Sequence, residues 1–169
     1  MAAVSQAGES ERQIVVFTLG TEAYGVDIAS VREIIVMQKI TPVPRTPEFV
    51  QGIINLRGRV IPVLDLRKHF GFDVKPPDKD QRIVVTDVDG EIVGVIVDSV
   101  FSVMRVPQSA IEPPSPMVTG PEAQYLTGIA KTEDKLIILL DISKIITDAE
   151  KRMLKEIDLA HAVLDEGDS

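Results

Sequence analysis

The sequence predicts a mainly β protein made of two pseudo-repeated β-barrels of about five short strands each, with short helices and a C-terminal α-helix. Short runs rich in β-branched residues alternate with glycine and proline turns, which is typical of antiparallel strands. Hydrophobic residues make up 44% of the chain, enough for a packed interior. We expect barrels because so few strands cannot bury both faces of an open sheet.

An internal repeat is the strongest support for two similar halves. Residues 52–70 align without a gap with residues 128–146, and residues 25–31 resemble residues 94–100 in the same order. The identical pairs include Gly52/Gly128, Ile53/Ile129, Ile61/Ile137, Leu64/Leu140, Asp65/Asp141 and Lys68/Lys144. Only the first copy contains Asn55-Leu56-Arg57-Gly58, so we expect the residues that recognise a partner to lie there.

The repeat sets the predicted domain organisation. We expect a disordered tail over residues 1–12, a first barrel over residues 13–75, a second barrel over residues 80–146 and a C-terminal helix over residues 147–164. The proline pair Pro76-Pro77 lies at the boundary between the halves. The four parts form one domain overall.

In the first half, apolar runs over residues 13–19 and 23–28 predict a hairpin around Gly20. Ser30 and Glu33 have the spacing of a capping box, which predicts a helical turn beginning there. The proline-rich residues 41–47 predict a stiff connection, followed by a helical turn over residues 47–51.

The segment from Gly52 to Phe70 predicts a second hairpin and a short helix. Its strands flank a turn over residues 55–59, where Asn and Gly tolerate the left-handed backbone region. Asp65 is placed to cap a helix over residues 66–70, which Gly71 ends.

In the second half, residues 82–87 and 91–97 predict a hairpin around Asp89-Gly90. Five prolines make residues 106–125 an irregular loop. A capping box from Thr147 to Glu150 opens the C-terminal helix, which places Leu154, Ile157, His161 and Leu164 on one face.

Composition excludes several classes of function. The net charge of −8 argues against general nucleic-acid binding and gives no reason to expect adhesion to anionic membranes. The chain has no cysteine, which excludes disulfides, thiol catalysis and cysteine metal sites. Neither a signal peptide nor a run of roughly 18 apolar residues is present, so we expect a soluble, cytoplasmic protein.

Catalytic interpretations each have a simpler alternative. Asp65 and Asp141 are equivalent acids that would suit the carboxylate dyad of a duplicated hydrolase, but each is also placed to cap its own helix, which we favour. Residues 87–91 resemble part of a calcium loop but suit a hairpin turn better. The two histidines, His69 and His161, are isolated in sequence and are expected on the surface or on an amphipathic face. We therefore expect no metal, no cofactor and no enzymatic activity.

Polar chemistry suited to recognition lies around the turn of the first copy. Arg57 and Arg59 occupy the turn, and Glu33 lies in an otherwise apolar segment. An arginine can bind a carboxylate through two parallel hydrogen bonds, so an Arg57–Glu33 pair could clamp the turn to the preceding segment. The alternative is two solvated charges, and the residues alone leave both open.

Several motifs together resemble the CheW chemotaxis coupling proteins in order and spacing. They are residues 24–28 (YGVDI), 31–34 (VREI), 52–58 (GIINLRG), 62–66 (PVLDL) and 125–128 (YLTG). The resemblance spans about residues 14–154 and is to a member without a receiver or kinase domain. It implies two SH3-like five-stranded barrels and an adaptor between the cytoplasmic tip of methyl-accepting chemoreceptors and the regulatory domain of the CheA histidine kinase.

The resemblance also implies roles for individual residues. Ile28, Val31 and Gly52 would border the receptor-binding groove, Glu33 and Arg57 would be the family's paired acid and arginine, and Asn55 and Gly58 would hold the turn. A kinase contact would lie largely on the second barrel. Relatives can carry a basic residue and an aromatic where this chain has Glu112 and Met117. A CheW-like scaffold of a different receptor–kinase pathway is the alternative within this class.

Overall fold

The computed structural model describes residues 10–74, 76–115, 123–133 and 135–152. Within them, α1 spans Leu66–His69, a second helix, α2, covers residues 142–152, and 3-10 turns lie at Ile28–Ser30, Gln108–Ala110 and Ala123–Tyr125. The strands are β1 (Glu11–Leu19), β2 (Glu22–Asp27), β3 (Val31–Val36), β4 (Val50–Leu56), β5 (Arg59–Asp65), β6 (Arg82–Val88), β7 (Glu91–Val97), β8 (Ser99–Pro107), β9 (Ile111–Glu112), β10 (Leu126–Lys131) and β11 (Leu136–Leu140).

The strands form two sheets, and the mainly β prediction is confirmed. Sheet I has six strands in the order β8-β1-β2-β11-β10-β9, and sheet II has five in the order β3-β6-β7-β5-β4. Neighbouring strands are antiparallel except for β2 with β11 in sheet I and β7 with β5 in sheet II. Sheet I has one strand more than predicted because the two-residue strand β9 joins its edge.

The two halves of the chain exchange strands, so the predicted barrel boundaries at 13–75 and 80–146 are wrong. The first hairpin, β1–β2, pairs with β8 and β11 of the second half, while β6–β7 pairs with β3 and β5 of the first. The chain passes from one sheet to the other at two short links. The 3-10 turn Ile28–Ser30 separates β2 in sheet I from β3 in sheet II, and only Asp98 separates β7 in sheet II from β8 in sheet I.

Equivalent residues of the repeat nevertheless make equivalent pairings. Gly25 lies opposite Leu139 in sheet I, as Gly94 lies opposite Val63 in sheet II. The register shifts between Val50 and Gly52 on β4 and between Leu126 and Gly128 on β10. These shifts occur at aligned positions, so the same unit folds twice and each copy completes the sheet of the other.

The hydrophobic core has three parts. One cluster belongs to sheet II, and another is built around sheet I. The largest cluster combines residues of both sheets and both helices, including Phe17, Tyr24, Leu66, Phe70, Val95 and Ile145. Because this shared core holds the two sheets together, the structure is one domain in which the site residues of both sheets have fixed positions.

Three other expectations differ from the structure. Residues 31–36 form a strand rather than a helical turn, because their β-branched side chains alternate between half-buried and exposed positions. Residues 47–49 form a turn and β4 begins at Val50, so no helix forms there. Strand β1 begins at Glu11, inside the predicted tail.

The C-terminal helix begins earlier than predicted. It starts at residue 142, and Asp141 Oδ1 accepts a hydrogen bond from Lys144 N (3.1 Å). Thr147, predicted as the cap, lies inside the helix, where its hydroxyl donates to Ser143 O (2.8 Å). Residues 153–164, with the predicted apolar face, lie outside the described residues.

Candidate functional site

The turn between β4 and β5 has the backbone that its sequence demands. Arg57 (φ 52°) and Gly58 (φ 85°) both adopt the left-handed region, as the two central residues of a tight hairpin turn require. The side chain of Asn55 accepts a hydrogen bond from Gly58 N at 2.8 Å. Arginine rarely adopts this backbone conformation. The tight turn and the Asn55 hydrogen bond keep Arg57 in it and so fix the direction in which its side chain leaves the turn.

Arg57 and Glu33 form a bidentate ion pair. Arg57 Nη1 donates to Glu33 Oε2 at 3.0 Å, and Nη2 donates to Oε1 at 2.5 Å. The pair joins β3, at one edge of sheet II, to the hairpin that ends at the other edge. The Arg57 side chain is 69% exposed and that of Glu33 24%, so the guanidinium stays accessible while its carboxylate partner fixes it.

Three large apolar side chains of sheet II are also exposed. On β3, Ile34 (38% exposed) and Val36 (64%) point outward, and on β5 Val60 is 62% exposed. Along β3, Ile34 and Val36 alternate with Glu33, so their side chains point to the other face of the strand. Sequence reasoning missed these apolar residues because it assigned part of β3 to a helical turn; the alternation along residues 31–36 was the available signal.

Sheet I also exposes large apolar side chains. Phe101 and Val103 on β8 and Leu136 on β11 are more than half exposed. Lys135 Nζ lies 3.5 Å from the centre of the Phe101 ring, a cation–π contact. Leu136 aligns with Val60 in the repeat, so both copies expose an apolar residue after the second turn, but only sheet II adds a bidentate pair.

Gly52 is buried and has a backbone role. It adopts φ 147°, and a Cβ built on it would lie 2.2 Å from Thr41 O. Thr41 and Ile53 exchange two backbone hydrogen bonds of 2.9 Å at this point. Gly52 therefore lets the connection before β4 lie against the strand, and a side chain there would push it away.

Ile28 and Val31 lie on either side of the link between the sheets. Both are half-buried and pack against the shared core. Asp27 accepts a hydrogen bond from Ala29 N at 2.9 Å and so caps the 3-10 turn that carries Ile28. Val31 lies two residues from Glu33 on β3, whereas Ile28 lies in the 3-10 turn before that strand.

The predicted kinase contact is only partly described. Glu112 lies on β9, is exposed, and pairs with Lys131 Nζ at 2.7 Å. Met117 lies outside the described residues.

The acids Asp65 and Asp141 both cap helices, as the favoured interpretation held. Asp65 Oδ1 accepts from Arg67 N at 3.0 Å, and its side chain also accepts two bonds from the Arg67 guanidinium. Arg67 donates a further bond to Asp98 at 3.0 Å. All three side chains are buried, and with both oxygens bound to Arg67, Asp65 is not available to act as a catalytic acid or base. Burial alone would lower the pKa of Arg67, but the bonds and charges of Asp65 and Asp98 raise it overall.

His69 is buried, so of the two expected positions, on the surface or on an amphipathic face, the surface position is wrong. Its Nε2 lies 3.1 Å from the Tyr125 hydroxyl, and its ring meets Phe49 edge-on at 4.7 Å. Burial lowers the pKa of His69 to about 4 and raises the pKa of Tyr125 to about 12. Helix α1 packs this ring into the shared core. A histidine that stands alone in the sequence gives no sign of such burial. His161 lies outside the described residues.

Within the described ranges, no group of three His, Asp or Glu side chains is arranged to hold a metal ion. None of the helices in those ranges is long and apolar enough to cross a membrane.

Comparison with known proteins identifies relatives over most of the chain. A family model described as the CheW-like domain matches residues 13–150. The chemotaxis protein CheW of Klebsiella aerogenes is 33% identical over 163 residues, covering 95% of this chain and 98% of that protein. The chemotaxis protein CheW of Thermotoga maritima is 36% identical, covering 82% of this chain and 89% of that protein.

Other similar proteins extend the comparison. Protein FrzA of Myxococcus xanthus is 31% identical and covers 86% of this chain and 92% of that protein. Among solved structures, the scaffolding protein TtCheW of Thermoanaerobacter tengcongensis superposes with a TM-score of 0.73 at 45% identity, covering 78% of this chain and 90% of the other.

Proposed function

The chain belongs to the CheW-like domain family, and from this membership we propose that it is a non-enzymatic, cytoplasmic adaptor that couples methyl-accepting chemoreceptors to a CheA-type histidine kinase in bacterial chemotaxis. An adaptor needs accessible surface on rigid elements rather than catalytic groups. In the described residues, the Glu33–Arg57 ion pair and the helix caps Asp65 and Asp141 hold surface elements in place.

The bidentate Glu33–Arg57 pair is the observation that carries the proposal. The pair presents an exposed guanidinium fixed by a carboxylate, and Ile34, Val36 and Val60 expose apolar side chains on β3 and β5 of the same sheet. Such surfaces are typical of protein interfaces, where arginine is enriched and apolar side chains form the centre. We assign receptor binding to Ile28, Val31, Glu33, Gly52 and Arg57, with Gly52 acting through the backbone.

The kinase regulatory domain would bind elsewhere, so that both partners can be held at once. Sheet I offers a separate apolar patch of Phe101, Val103 and Leu136, and Glu112 lies on the same sheet. A standard interface buries roughly 800 Å² on each partner. Two sheets with outward-facing edges provide room for two such interfaces.

Reconstitution tests this function directly. The protein is mixed with a CheA-type kinase and a receptor signalling fragment, and kinase autophosphorylation and co-sedimentation are measured. We expect a ternary complex in which the receptor fragment changes kinase activity only when the adaptor is present. Association with neither partner would contradict the proposal.

A scaffold of another receptor–kinase pathway is the second candidate. It is favoured by the relative FrzA, which is similar over 86% of this chain but is not named as a chemotaxis protein. Pull-down from the source cell separates the two candidates, because the captured kinase and receptor belong to one pathway or the other.

A further inference from the structure

Two arginines of the described chain adopt a backbone conformation that is unfavourable for this residue type. Among the described residues other than glycine, positive φ occurs at Arg45 (61°), Arg57 (52°) and Asp89 (52°). Aspartate tolerates the left-handed region, and Asp89 lies in the β6–β7 hairpin turn, so its conformation is ordinary. Arginine has no such tolerance. Residues held in sparsely populated backbone regions are frequent at functional sites, so the conformation of Arg45 calls for a reason.

The local turn does not supply that reason. Pro44 and Arg45 are the two central residues of a turn over residues 43–46, and Thr46 Oγ1 donates a hydrogen bond to Val43 O at 2.9 Å. Proline suits the first central position, and the second, when its φ is positive, is normally glycine or asparagine. Asparagine would fit this backbone better than arginine, so folding alone does not favour a guanidinium here.

The segment that carries Arg45, residues 41–47, is held in place at both ends. Three of its seven residues are proline, which restricts the backbone. Thr41 exchanges two backbone hydrogen bonds of 2.9 Å with Ile53 on β4, and Val50 N donates to Pro47 O at 3.0 Å. A group on a rigid segment loses little conformational entropy when it binds a partner.

The guanidinium of Arg45 is available to such a partner. Residues 41–45 are all exposed, including the apolar Val43. Within the ranges that the structure describes, Arg45 has no ion pair and no side-chain hydrogen bond. Arg57, by contrast, is already bound by Glu33. Arg45 therefore keeps the whole of its planar set of donors for an acceptor outside the described chain.

We propose that Arg45 is a specificity-determining residue that binds a carboxylate on the cytoplasmic tip of the chemoreceptor. The receptor follows from position, because Thr41 of the same segment lies against Gly52, which we assign to receptor binding. The carboxylate follows from chemistry, because the side chains of Asp and Glu are the ionised acceptors that a protein offers to a guanidinium. This role rests on the proposed function and adds a residue to it.

The test separates binding from stability. Arg45→Asn should raise the urea midpoint of unfolding, because asparagine tolerates the left-handed region. The same variant should weaken association with the receptor signalling fragment by about fivefold, measured by titration calorimetry, because the guanidinium is lost. Arg45→Lys keeps the charge but not the planar donors, so its affinity should lie between those of wild type and Arg45→Asn. A residue that only shaped the turn would give an Arg45→Asn protein that binds as well as wild type, and that result would overturn the proposal.

Arg59→Asn is the matched control. Arg59 is an exposed arginine at the start of β5, so the variant makes the same change in net charge at an extended position of sheet II. It should leave the affinity within about twofold of wild type and should not raise the urea midpoint. A loss of affinity equal to that of Arg45→Asn would mean that net charge alone is responsible and would contradict the proposal.

A charge exchange identifies the acceptor. Arg45→Glu should bind the receptor fragment more weakly than Arg45→Asn, and replacing one particular Asp or Glu of the fragment by Arg should restore the affinity. If no single replacement restores it, the partner of Arg45 is not a receptor carboxylate. The kinase regulatory domain is titrated in parallel, and a loss of affinity for the kinase alone would overturn the assignment to the receptor.

The outcomes distinguish the role of Arg45 from the proposed function. If the wild-type protein does not associate with the receptor fragment, both proposals fail. If wild type associates and Arg45→Asn associates equally well, the adaptor function stands and only the role of Arg45 is overturned.

Discussion

Glu33 on β3 and Arg57 in the β4–β5 turn form a bidentate pair that joins the two edges of sheet II. The pair orients a side chain that is mostly exposed, so its main effect is on the shape and charge of the surface. Exposed ion pairs contribute only about 0–1 kcal/mol to stability. Loss of this pair should therefore affect binding more than folding.

The first prediction separates those two effects. Arg57→His should weaken association with the receptor fragment by about tenfold, roughly 1.4 kcal/mol, because histidine cannot reproduce the planar two-bond contact. Its free energy of unfolding should fall by no more than about 1 kcal/mol. Binding is measured by co-sedimentation, and stability by urea denaturation.

Arg59→His is the matched control, since Arg59 is exposed two residues away in the same hairpin. It should bind normally. Wild-type binding by Arg57→His would remove Arg57 from the interface.

The second prediction concerns Gly52. In Gly52→Ala the new Cβ would lie 2.2 Å from Thr41 O, a backbone atom that cannot rotate away. The strand or the connection must move, and we expect a loss of about 2–4 kcal/mol of stability in urea unfolding. Gly90→Ala is the control, because Gly90 also has positive φ (87°) but open space around its Cβ position. Gly90→Ala should cost about 1 kcal/mol. Equal losses in the two variants would mean that the contact with Thr41 is unimportant.

The third prediction concerns the buried ion cluster. Arg67→Met leaves the Asp65 and Asp98 carboxylates buried without their cation, and removing one partner of a buried pair typically costs about 3–5 kcal/mol. Adding Asp98→Asn to Arg67→Met should recover part of that loss, because one uncompensated charge is then removed. A double-mutant cycle on unfolding free energies measures the coupling. Additive losses would show that Arg67 and Asp98 act independently.

Sequence patterns predicted the local elements well but could not show the exchange of strands. Turn residues at Gly20, Gly58 and Gly90 have positive φ, and each lies in a tight turn between paired strands, because turn chemistry is local. The pairing of β2 with β11 joins residues more than 100 positions apart and depends on how the link at Ile28–Ser30 redirects the chain. Periodicity contains no information on that choice, since either copy of the repeat offers strands of the same pattern.

In the candidate site, too, the local features could be predicted from the sequence and the tertiary contacts could not. Asn55, Arg57 and Gly58 stood out because the second copy of the repeat lacks them, and the structure pairs Arg57 with Glu33. The role of Gly52 depends on the approach of Thr41, which is a tertiary contact. The sequence predicts a surface or amphipathic-face position for His69 because the residue is isolated in sequence, but its ring lies against Phe49 and Tyr125 in the structure.

The last prediction uses His69 and its pKa. Burial lowers the pKa of His69 to about 4, and the Arg152 charge lowers it further, while Asp148 acts in the opposite direction. Because the ordinary pKa is 6.5, the unfolded chain takes up a proton first as the pH falls. The stability linked to neutral His69 is therefore complete above pH 6.5 and is lost as the pH falls toward 4. Between pH 6.5 and 4.5 we expect a loss of about 2 kcal/mol from this residue.

His69→Phe keeps an aromatic ring beside Phe49 but does not titrate, so its unfolding free energy should vary less over this pH range. Urea unfolding of both proteins at several pH values measures the difference, and parallel pH profiles would show that His69 stays accessible to protons in the folded state.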